Sequence, residues 1–217
     1  MAKIAGVDEA GRGCVLGPLV VAAVSFDEAS MEELLQMGVK NSKFLTPNKR
    51  ETLAAEILDL AEGVAYFDLK PWAIDKVVNR GIRLRRLNYL EAMVMAKVIR
   101  DLQPDKVFVD AADVVPERFK RYILRVLGWE PHLVCENKAD TSYPVVSAAS
   151  ILAKVRRDNF IAQLREKHGD LGSGYPSDKR TICFLESWLQ ENGGFPPFVR
   201  GSWMTVKRMI TAVNYDI

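Results

Sequence analysis

The stretch Ile4-Ala5-Gly6-Val7-Asp8-Glu9-Ala10-Gly11-Arg12-Gly13 opens this 217-residue chain and decides its fold. A short apolar run this close to the N-terminus predicts a buried strand, so the carboxylates of Asp8 and Glu9 should emerge together at its carboxyl end. The two glycines that flank Arg12 allow positive φ and close approach by a ligand. The guanidinium of Arg12 offers planar, bidentate donors that suit a phosphate. The turn therefore predicts a place where a metal and a phosphodiester bind side by side.

A second strand should follow this turn directly. Gly17-Pro18 leads into the β-branched run from Leu19 to Val24, which predicts a strand antiparallel to the first. A Rossmann or P-loop nucleotide site needs a strand, a glycine loop and then a helix. Here the loop returns into a strand and carries no G-K-[ST] ending, so the sequence argues against both kinds of site.

The rest of the chain alternates between helical and strand patterns, which is typical of an α/β protein. Strands are predicted at 64–69, 105–110 and 132–135, and helices at 46–62, 71–98 with an interruption near Gly81, 116–126, 144–167, 177–192 and around 203–213. In this scheme Gly63 ends the first of these helices and Ser177 caps the one at 177–192.

Two further acids follow strands. Asp110 ends the strand at 105–110, and Asp140 lies in the polar loop after the strand at 132–135. If the first strand and the strand at 105–110 lie parallel with a helical crossover between them, Asp8 and Asp110 project at the same edge of the sheet. The helix beyond Asp140 begins with small residues at 147–150, which should let it lie close against the sheet.

Gathered without compensation, the carboxylates of Asp8, Glu9, Asp110 and Asp140 would each raise the pKa of the others. A divalent cation removes this repulsion, and ligands that are all oxygen atoms suit Mg²⁺ or Mn²⁺. Two such ions can activate water and stabilise the leaving oxygen of a phosphodiester. Acids at strand ends also often only solvate a turn, and Asp140 would be favourable beside a helix N-terminus in any case.

Composition excludes several other classes of function. The chain has two histidines and three scattered cysteines, which argues against a histidine-based triad, a zinc centre and a disulfide framework. No apolar run approaches the ~20 residues of a membrane span, so a cytoplasmic protein with no membrane contact is expected. A net charge of +2 does not by itself indicate nucleic acid, and the cluster of Lys154, Arg156 and Arg157 is equally typical of a solvated helix face.

Five separated groups of residues, in order along nearly the whole chain, carry a specific similarity. They are residues 8–13 (DEAGRG), 41–46 (NSKFLT), 109–111 (VDA), 138–140 (KAD) running into 147–158 (SAASILAKVRRD), and 172–178 (GSGYPSD). Together these motifs resemble ribonuclease HII, the type 2 ribonuclease H, in its archaeal form. One departure is Asn41, where the family usually has an aspartate beside Ser42 and Lys43.

The resemblance implies an RNase H-like α/β fold: a mixed five-stranded sheet flanked by helices, with a helical C-terminal appendage. It implies a catalytic domain over residues 1–171 and a helical substrate-binding segment over residues 172–217. The implied activity is hydrolysis of the RNA strand of RNA–DNA hybrids, and nicking at ribonucleotides embedded in duplex DNA. Two divalent ions, Mg²⁺ or Mn²⁺, would serve a monomeric enzyme that leaves 5′-phosphate and 3′-hydroxyl ends.

The same resemblance assigns roles to individual residues. It makes the four carboxylates of Asp8, Glu9, Asp110 and Asp140 the catalytic metal ligands. The backbone of Gly11, Arg12 and Gly13 would read the ribose 2′-hydroxyl, the group that distinguishes RNA from DNA. Tyr175 would stack on the sugar of the next nucleotide and help sense an RNA-to-DNA junction, and Lys43, Ser147 and Lys154 would face phosphates.

Two alternatives remain open at the level of sequence. One is another nuclease of the same fold, such as a junction resolvase, which would cut branched substrates made only of DNA. The other is a module that binds hybrids without cleaving them, in which the acids are only structural. A duplex with one ribonucleotide, incubated with Mg²⁺, Mn²⁺ or EDTA, distinguishes the three.

Overall fold

The computed structural model describes residues 2–39, 45–80 and 83–215, without side-chain detail at 83–86 and 213–215. The described strands form one mixed five-stranded sheet in the order β3-β2-β1-β4-β5, which confirms the predicted fold class. The strands are β1 (Lys3–Ala10), β2 (Leu19–Asp27), β3 (Gly63–Leu69), β4 (Lys106–Asp110) and β5 (His132–Glu136).

The pairing of β1 with its two neighbours confirms the sequence-based topology. β1 runs antiparallel to β2 and parallel to β4, with Val7 opposite Val109. The residues that follow Val7 and Val109, namely Asp8 and Asp110, therefore lie at the same level of the sheet, where β4 ends.

The predicted helices are present, with small shifts at their ends. Thr46 caps the helix at 47–60 as expected, but that helix ends at Leu60 and Gly63 instead opens β3. The expected cap at Ser177 is wrong, because the Asp178 carboxylate accepts the hydrogen bond from the backbone N–H of Arg180. The helices are α1 (Met31–Gln36), α2 (Pro47–Leu60), α3 (Pro71–Val78), α4 (Arg83–Leu102), α5 (Pro116–Leu127), α6 (Ala139–Ser142), α7 (Pro144–His168), α8 (Lys179–Asn192) and α9 (Met204–Tyr215), with a 3-10 turn at Glu28–Ser30.

Helix α7 lies on β1 at unusually short range. A Cβ atom added to Gly6 would lie 2.0 Å from the carbonyl oxygen of Val145, so only glycine fits at this position. Ser147, Ala148 and Ala149 near the start of α7 are fully buried, which confirms that small side chains let this helix lie close to the sheet. The close contact fixes the first turns of α7 over the strand that carries Asp8.

The chain divides into two compact units. Unit 2 has its own apolar core, in which Leu16, Ile161 and Leu185 are among the fully or almost fully buried residues. These units are defined by structural compactness, whereas the predicted division at residues 171 and 172 is functional. The division into a catalytic domain (1–171) and a substrate-binding segment (172–217) stays a prediction. Unit 1 comprises Met1–Ala10, Val20–Asp68 and Leu87–Arg156, and unit 2 comprises Gly11–Leu19, Leu69–Arg86 and Arg157–Ile217.

Within the described ranges, no helix combines the length and the apolar character that a membrane crossing requires. The Asn41-Ser42-Lys43 stretch and the interruption near Gly81 lie outside the described residues.

Candidate active site

Three carboxylates from different parts of the sequence meet in unit 1. Asp8 extends from β1, Asp110 ends β4, and Asp140 lies in the short helix α6 that follows β5. One oxygen atom from each of the three lies within 4.8 Å of the others. The backbone N–H of Ala139 donates to Asp110 Oδ1 at 3.3 Å, which joins the loop that carries Asp140 to the end of β4.

The surroundings of Asp8 in this cluster disfavour its negative charge. Burial, followed by the negative charge of Asp110, raises the pKa of Asp8 from 3.8 to about 7. The opposing contributions come from hydrogen bonds with Ser150 and with the backbone N–H of Glu9, and from the charge of Lys154. At neutral pH the cluster therefore holds less negative charge than three free carboxylates would, unless a cation binds there.

Glu9 differs from the other three predicted ligands. It is half-buried, and among the described residues it does not belong to the group of acids whose oxygen atoms converge. Successive residues of a strand point to opposite faces, which is consistent with a different direction for the side chain that follows Asp8. The assignment of Glu9 as a metal ligand stays a prediction.

Helix α7 brings three further polar side chains to unit 1, with different roles. Ser150 hydrogen-bonds to Asp8, and the positive charge of Lys154 acts on the same carboxylate. Ser147 is fully buried and its hydroxyl donates to the carbonyl of Val39. This geometry supports a structural part for Ser147 and gives no support to a contact with phosphate. Ser150, one turn further on, is the hydroxyl that the acidic cluster uses.

The glycine turn after β1 belongs to unit 2, and its two glycines have different reasons to be glycine. Gly11 has φ +82°, and a Cβ atom on it would lie 3.2 Å from the carbonyl oxygen of Pro18. Gly13 is exposed, and an added Cβ atom would meet no protein atom within 4 Å. Between them, the carbonyl of Arg12 accepts a 2.9 Å hydrogen bond from Nη1 of Arg200. The protein therefore fixes the start of the turn and leaves the surface at Gly13 open.

Tyr175 lies in unit 2 as well, where it rests on a buried guanidinium. The centre of the Arg157 guanidinium lies 5.0 Å from the centre of the Tyr175 ring. The residue is 38% exposed, and its hydroxyl hydrogen-bonds with the thiol of Cys14. Burial raises the pKa of Tyr175 to about 12, so the phenol stays neutral at physiological pH. One face of the ring is held in place, and part of the residue remains accessible.

No role was predicted from the sequence for Arg157, although it lies in one of the motifs, or for Arg200. Arg157 is 6% exposed and donates to the carbonyl of Ser173, while its Cγ atom lies 3.3 Å from the position of a Cβ on Gly11. The alternative of a solvated helix face at 154–157 therefore does not describe Arg157, which is buried. Arg200 is fully buried and bonds to two carbonyls of the loop after β1. No sequence signal separates such buried arginines from exposed ones, because the carbonyls that they bind are distant in the chain.

Comparison with known proteins identifies the family. The model of the Ribonuclease HII family matches residues 5–206. The chain belongs to this family. It is 47% identical to ribonuclease HII of Thermococcus kodakarensis over 216 residues, which cover 99% of this chain and 92% of that protein.

Solved structures agree with this assignment. The crystal structure of ribonuclease H2 from Pyrococcus horikoshii matches with a TM-score of 0.90 and 42% identity, covering 98% of this chain and 99% of that one. A ribonuclease HII from Archaeoglobus fulgidus, solved as a complex with PCNA, matches with a TM-score of 0.83 and 41% identity over 95% of this chain and 96% of that one.

Membership of the ribonuclease HII family establishes the general activity. The chain is a metal-dependent ribonuclease H, a hydrolase that cleaves the RNA of RNA–DNA hybrids. The donor set fits a divalent cation, since three carboxylates converge, one of them buried with a raised pKa. A divalent ion would stabilise the ionised carboxylate against burial and against the charge of Asp110, which together raise this pKa.

Proposed function

We propose that this ribonuclease HII also nicks duplex DNA at single embedded ribonucleotides, and that it leaves 5′-phosphate and 3′-hydroxyl ends. The observation that carries the proposal is the convergence of Asp8, Asp110 and Asp140, with the pKa of Asp8 raised to about 7. Such a cluster can hold the metal ions that phosphodiester hydrolysis uses. In a module that only binds, the same buried carboxylates would repel each other with no function to compensate. The resolvase alternative receives no support from the family assignment.

Asp8, Asp110, Asp140 and Glu9 would hold two divalent ions, Mg²⁺ or Mn²⁺. These ions supply an activated water and charge stabilisation at the leaving oxygen. Ser150 and the backbone N–H of Glu9 keep the Asp8 carboxylate in one orientation through their hydrogen bonds. Lys154 adds a positive charge near Asp8, where it can also face a substrate phosphate, as predicted from the motif.

Selectivity for ribose would come from unit 2. The open surface at Gly13 allows a sugar to approach the backbone, which supports the role proposed for Gly11, Arg12 and Gly13 in reading the 2′-hydroxyl. Tyr175 presents a supported ring with accessible surface, which supports its stacking on the neighbouring sugar.

The remaining assignments rest on the resemblance alone. We propose that Lys43 contacts a phosphate, that residues 172–217 contribute to substrate binding, and that the enzyme acts as a monomer. We also propose a cytoplasmic location, because its substrates arise on DNA.

The test uses a labelled DNA duplex that contains one ribonucleotide, incubated with Mg²⁺, Mn²⁺ or EDTA. We expect nicking at the ribonucleotide with either metal and none with EDTA. Cleavage of four-way DNA junctions instead would indicate a resolvase, and retention of the duplex without nicking would indicate a binding module. End-group analysis of the products checks the 5′-phosphate.

Asp110→Asn provides the residue-level test, and Asp113→Asn is its matched control. Asp113 lies three residues further on in unit 1, but its carboxylate is ion-paired with Arg118 and lies outside the cluster. We expect Asp110→Asn to bind the duplex normally and to lose at least about a hundredfold in turnover. Asp113→Asn should keep its turnover at a temperature where it is folded. Wild-type turnover in Asp110→Asn would contradict the proposed metal role.

A further inference from the structure

A cavity of about 320 Å³ lies within unit 2, and none of its lining residues has been given an individual role above. Its walls come from the start of α3, the last turns of α7 and the loops at 17–18 and 197–198. We call it the Trp72 pocket, and its distinctive residues are Trp72, Phe160, Phe198, Pro18, Lys70 and Lys167.

The walls of the Trp72 pocket are apolar and partly uncovered. Trp72 is 65% exposed, the highest value among the exposed aromatic side chains of the described chain. The ammonium of Lys70 lies 5.4 Å from the centre of the Phe160 ring, and the carbonyl of Phe198 accepts a 2.8 Å hydrogen bond from Gly17. An indole left in water forfeits the free energy of burial, which a ligand packed on it would recover.

The charges of the pocket have one sign. Lys70 and Lys167 line it, and among the described residues no carboxylate does. The apolar walls are a poor match for a small inorganic anion, and the two lysines are a poor match for an apolar peptide. A DNA strand matches both features, because its deoxyribose rings present C–H faces to an apolar wall and its phosphates attract lysines. Aromatic faces and lysines are also the groups that bind nucleic-acid strands without reading their sequence.

We infer that the Trp72 pocket binds the sugar–phosphate backbone of a DNA strand in the substrate, outside the ribonucleotide that is cleaved. The inference rests on the proposed function, which supplies a substrate with DNA flanks. Deoxyribose suits an apolar wall better than ribose, because burial of a 2′-hydroxyl without a hydrogen-bond partner is costly. Phosphates on either side of the sugar would pair with Lys70 and Lys167.

One buried side chain joins this pocket to the turn that we assign to ribose recognition. Nη1 of Arg200 donates to the carbonyl of Arg12, and Nε donates at 3.1 Å to the carbonyl of Gly17, which lines the pocket. Arg200 is fully buried, so the two carbonyls are held in a fixed relation. A nucleic-acid strand that contacts the glycine turn can therefore continue into the Trp72 pocket, because Arg200 holds both in place.

The experiment measures the affinity of the full-length protein for fluorescein-labelled duplexes in EDTA by fluorescence anisotropy. One duplex contains a single ribonucleotide flanked by DNA. In the other duplex the same strand has RNA flanks, so it forms a continuous RNA–DNA hybrid. We expect Trp72→Ala to weaken binding about fivefold or more with DNA flanks, and less than about twofold with RNA flanks. Trp72→Phe keeps an aromatic face and should bind within about twofold of wild type. Leu58→Ala, which removes an exposed apolar side chain of α2 with no assigned role, is the matched control and should bind as wild type does.

Salt dependence tests the two lysines separately. Each phosphate contact contributes about 0.9 to the slope of log Kd against log salt concentration. The double variant Lys70→Ala/Lys167→Ala should therefore lower the slope by about 1.8, whereas Lys76→Ala, an exposed lysine of α3 outside the pocket, should leave it unchanged. If Trp72→Ala fails to fold, the salt slope of the double variant Lys70→Ala/Lys167→Ala still tests the inference.

Unchanged affinity in Trp72→Ala together with an unchanged salt slope would overturn the inference, as would an equal loss with DNA and RNA flanks. These outcomes are distinct from a failure of the proposed function, in which the wild-type protein with Mg²⁺ would not nick at the ribonucleotide at all. If the wild-type protein nicks at the ribonucleotide and the pocket variants have no effect on binding, only the inference about the Trp72 pocket is refuted.

Discussion

Replacing Asp8 by asparagine should stabilise the metal-free protein while abolishing its activity. Asp8 is 6% exposed, and its ionised form is disfavoured by burial and by Asp110. Asparagine has nearly the same shape, and its carbonyl oxygen can accept the 2.7 Å hydrogen bond that the backbone N–H of Glu9 donates to Asp8. The substitution removes a buried charge and keeps the local contact.

The magnitude follows from the pKa of Asp8. The unfolded chain releases this proton near pH 3.8, but the folded protein holds it until about pH 7. The stability associated with Asp8 is therefore complete below pH 3.8 and is lost as pH rises to 7. Since one pKa unit corresponds to ~1.4 kcal/mol, ionised Asp8 costs about 4 kcal/mol at pH 8. The advantage of Asp8→Asn should grow from near zero at pH 4 to about this value.

Urea denaturation in EDTA at several pH values between 4 and 8 measures this difference. Asp113→Asn is the control of opposite sign, because the hydrogen bond from Arg118 lowers the pKa of Asp113 to about 2. The stability that Asp113 contributes is present above pH 3.8 and is lost only as pH falls towards 2. Asp113→Asn should therefore cost about 2 kcal/mol at every pH from 5 to 8.

Magnesium should narrow the gap between wild type and Asp8→Asn. An ion bound only to the folded wild-type protein adds about 2.7 kcal/mol at a hundred times its Kd, and the variant lacks one of the ligands. A stability difference that stays flat between pH 4 and 8, or an Asp8→Asn protein no more stable than wild type in EDTA at pH 8, would refute the reasoning.

Four other substitutions have outcomes that follow from the structure. Gly13→Ala should leave the melting temperature unchanged and lower kcat/KM at an embedded ribonucleotide roughly tenfold or more. Gly11→Ala, at φ +82°, should instead lower the free energy of unfolding in denaturant by about 1–2 kcal/mol. Equal effects of the two substitutions on stability would contradict this. Tyr175→Ala should lower cleavage at a single ribonucleotide about tenfold and cleavage of long hybrids less, and unchanged rates on both substrates would remove the ring from the site. Gly6→Ala should destabilise by about 3 kcal/mol or more, because its methyl group would lie 2.0 Å from the carbonyl oxygen of Val145; a normal unfolding midpoint would show that α7 can move.

The sequence was sufficient where local pattern and topology agree. The apolar runs before Asp8 and Asp110 predicted two strands, and the rule that such strands lie parallel with a helical crossover predicted that the acids meet. Both points are confirmed, and Asp140 joins them. The close approach of α7 was likewise predicted from small residues at its start.

The sequence did not predict which side chains of α7 contact the acidic cluster and which are buried elsewhere, because a shift of one to three residues along a helix changes what a side chain faces. Ser147 and Ser150 are equivalent in the sequence pattern, but only Ser150 bonds to Asp8, while Ser147 bonds to a backbone carbonyl. Arg156 and Arg157 are adjacent in the chain. Arg156 pairs with Asp68 and is partly exposed, whereas Arg157 is buried. Such differences depend on the rotation of the helix about its own axis, which composition and spacing specify only approximately.

The position of Arg157 has a consequence for how ribose selectivity can change over evolutionary time. The side chain of Arg157 lies close to Gly11 and to Gly174, where an added methyl group would come within 3.3 Å of Cγ and 2.8 Å of Nη2, respectively. The two segments therefore share one neighbour and are not free to vary separately. A lineage, or a protein engineer, that seeks a new sugar preference would have to alter both in concert, so single-step paths towards that goal should be rare.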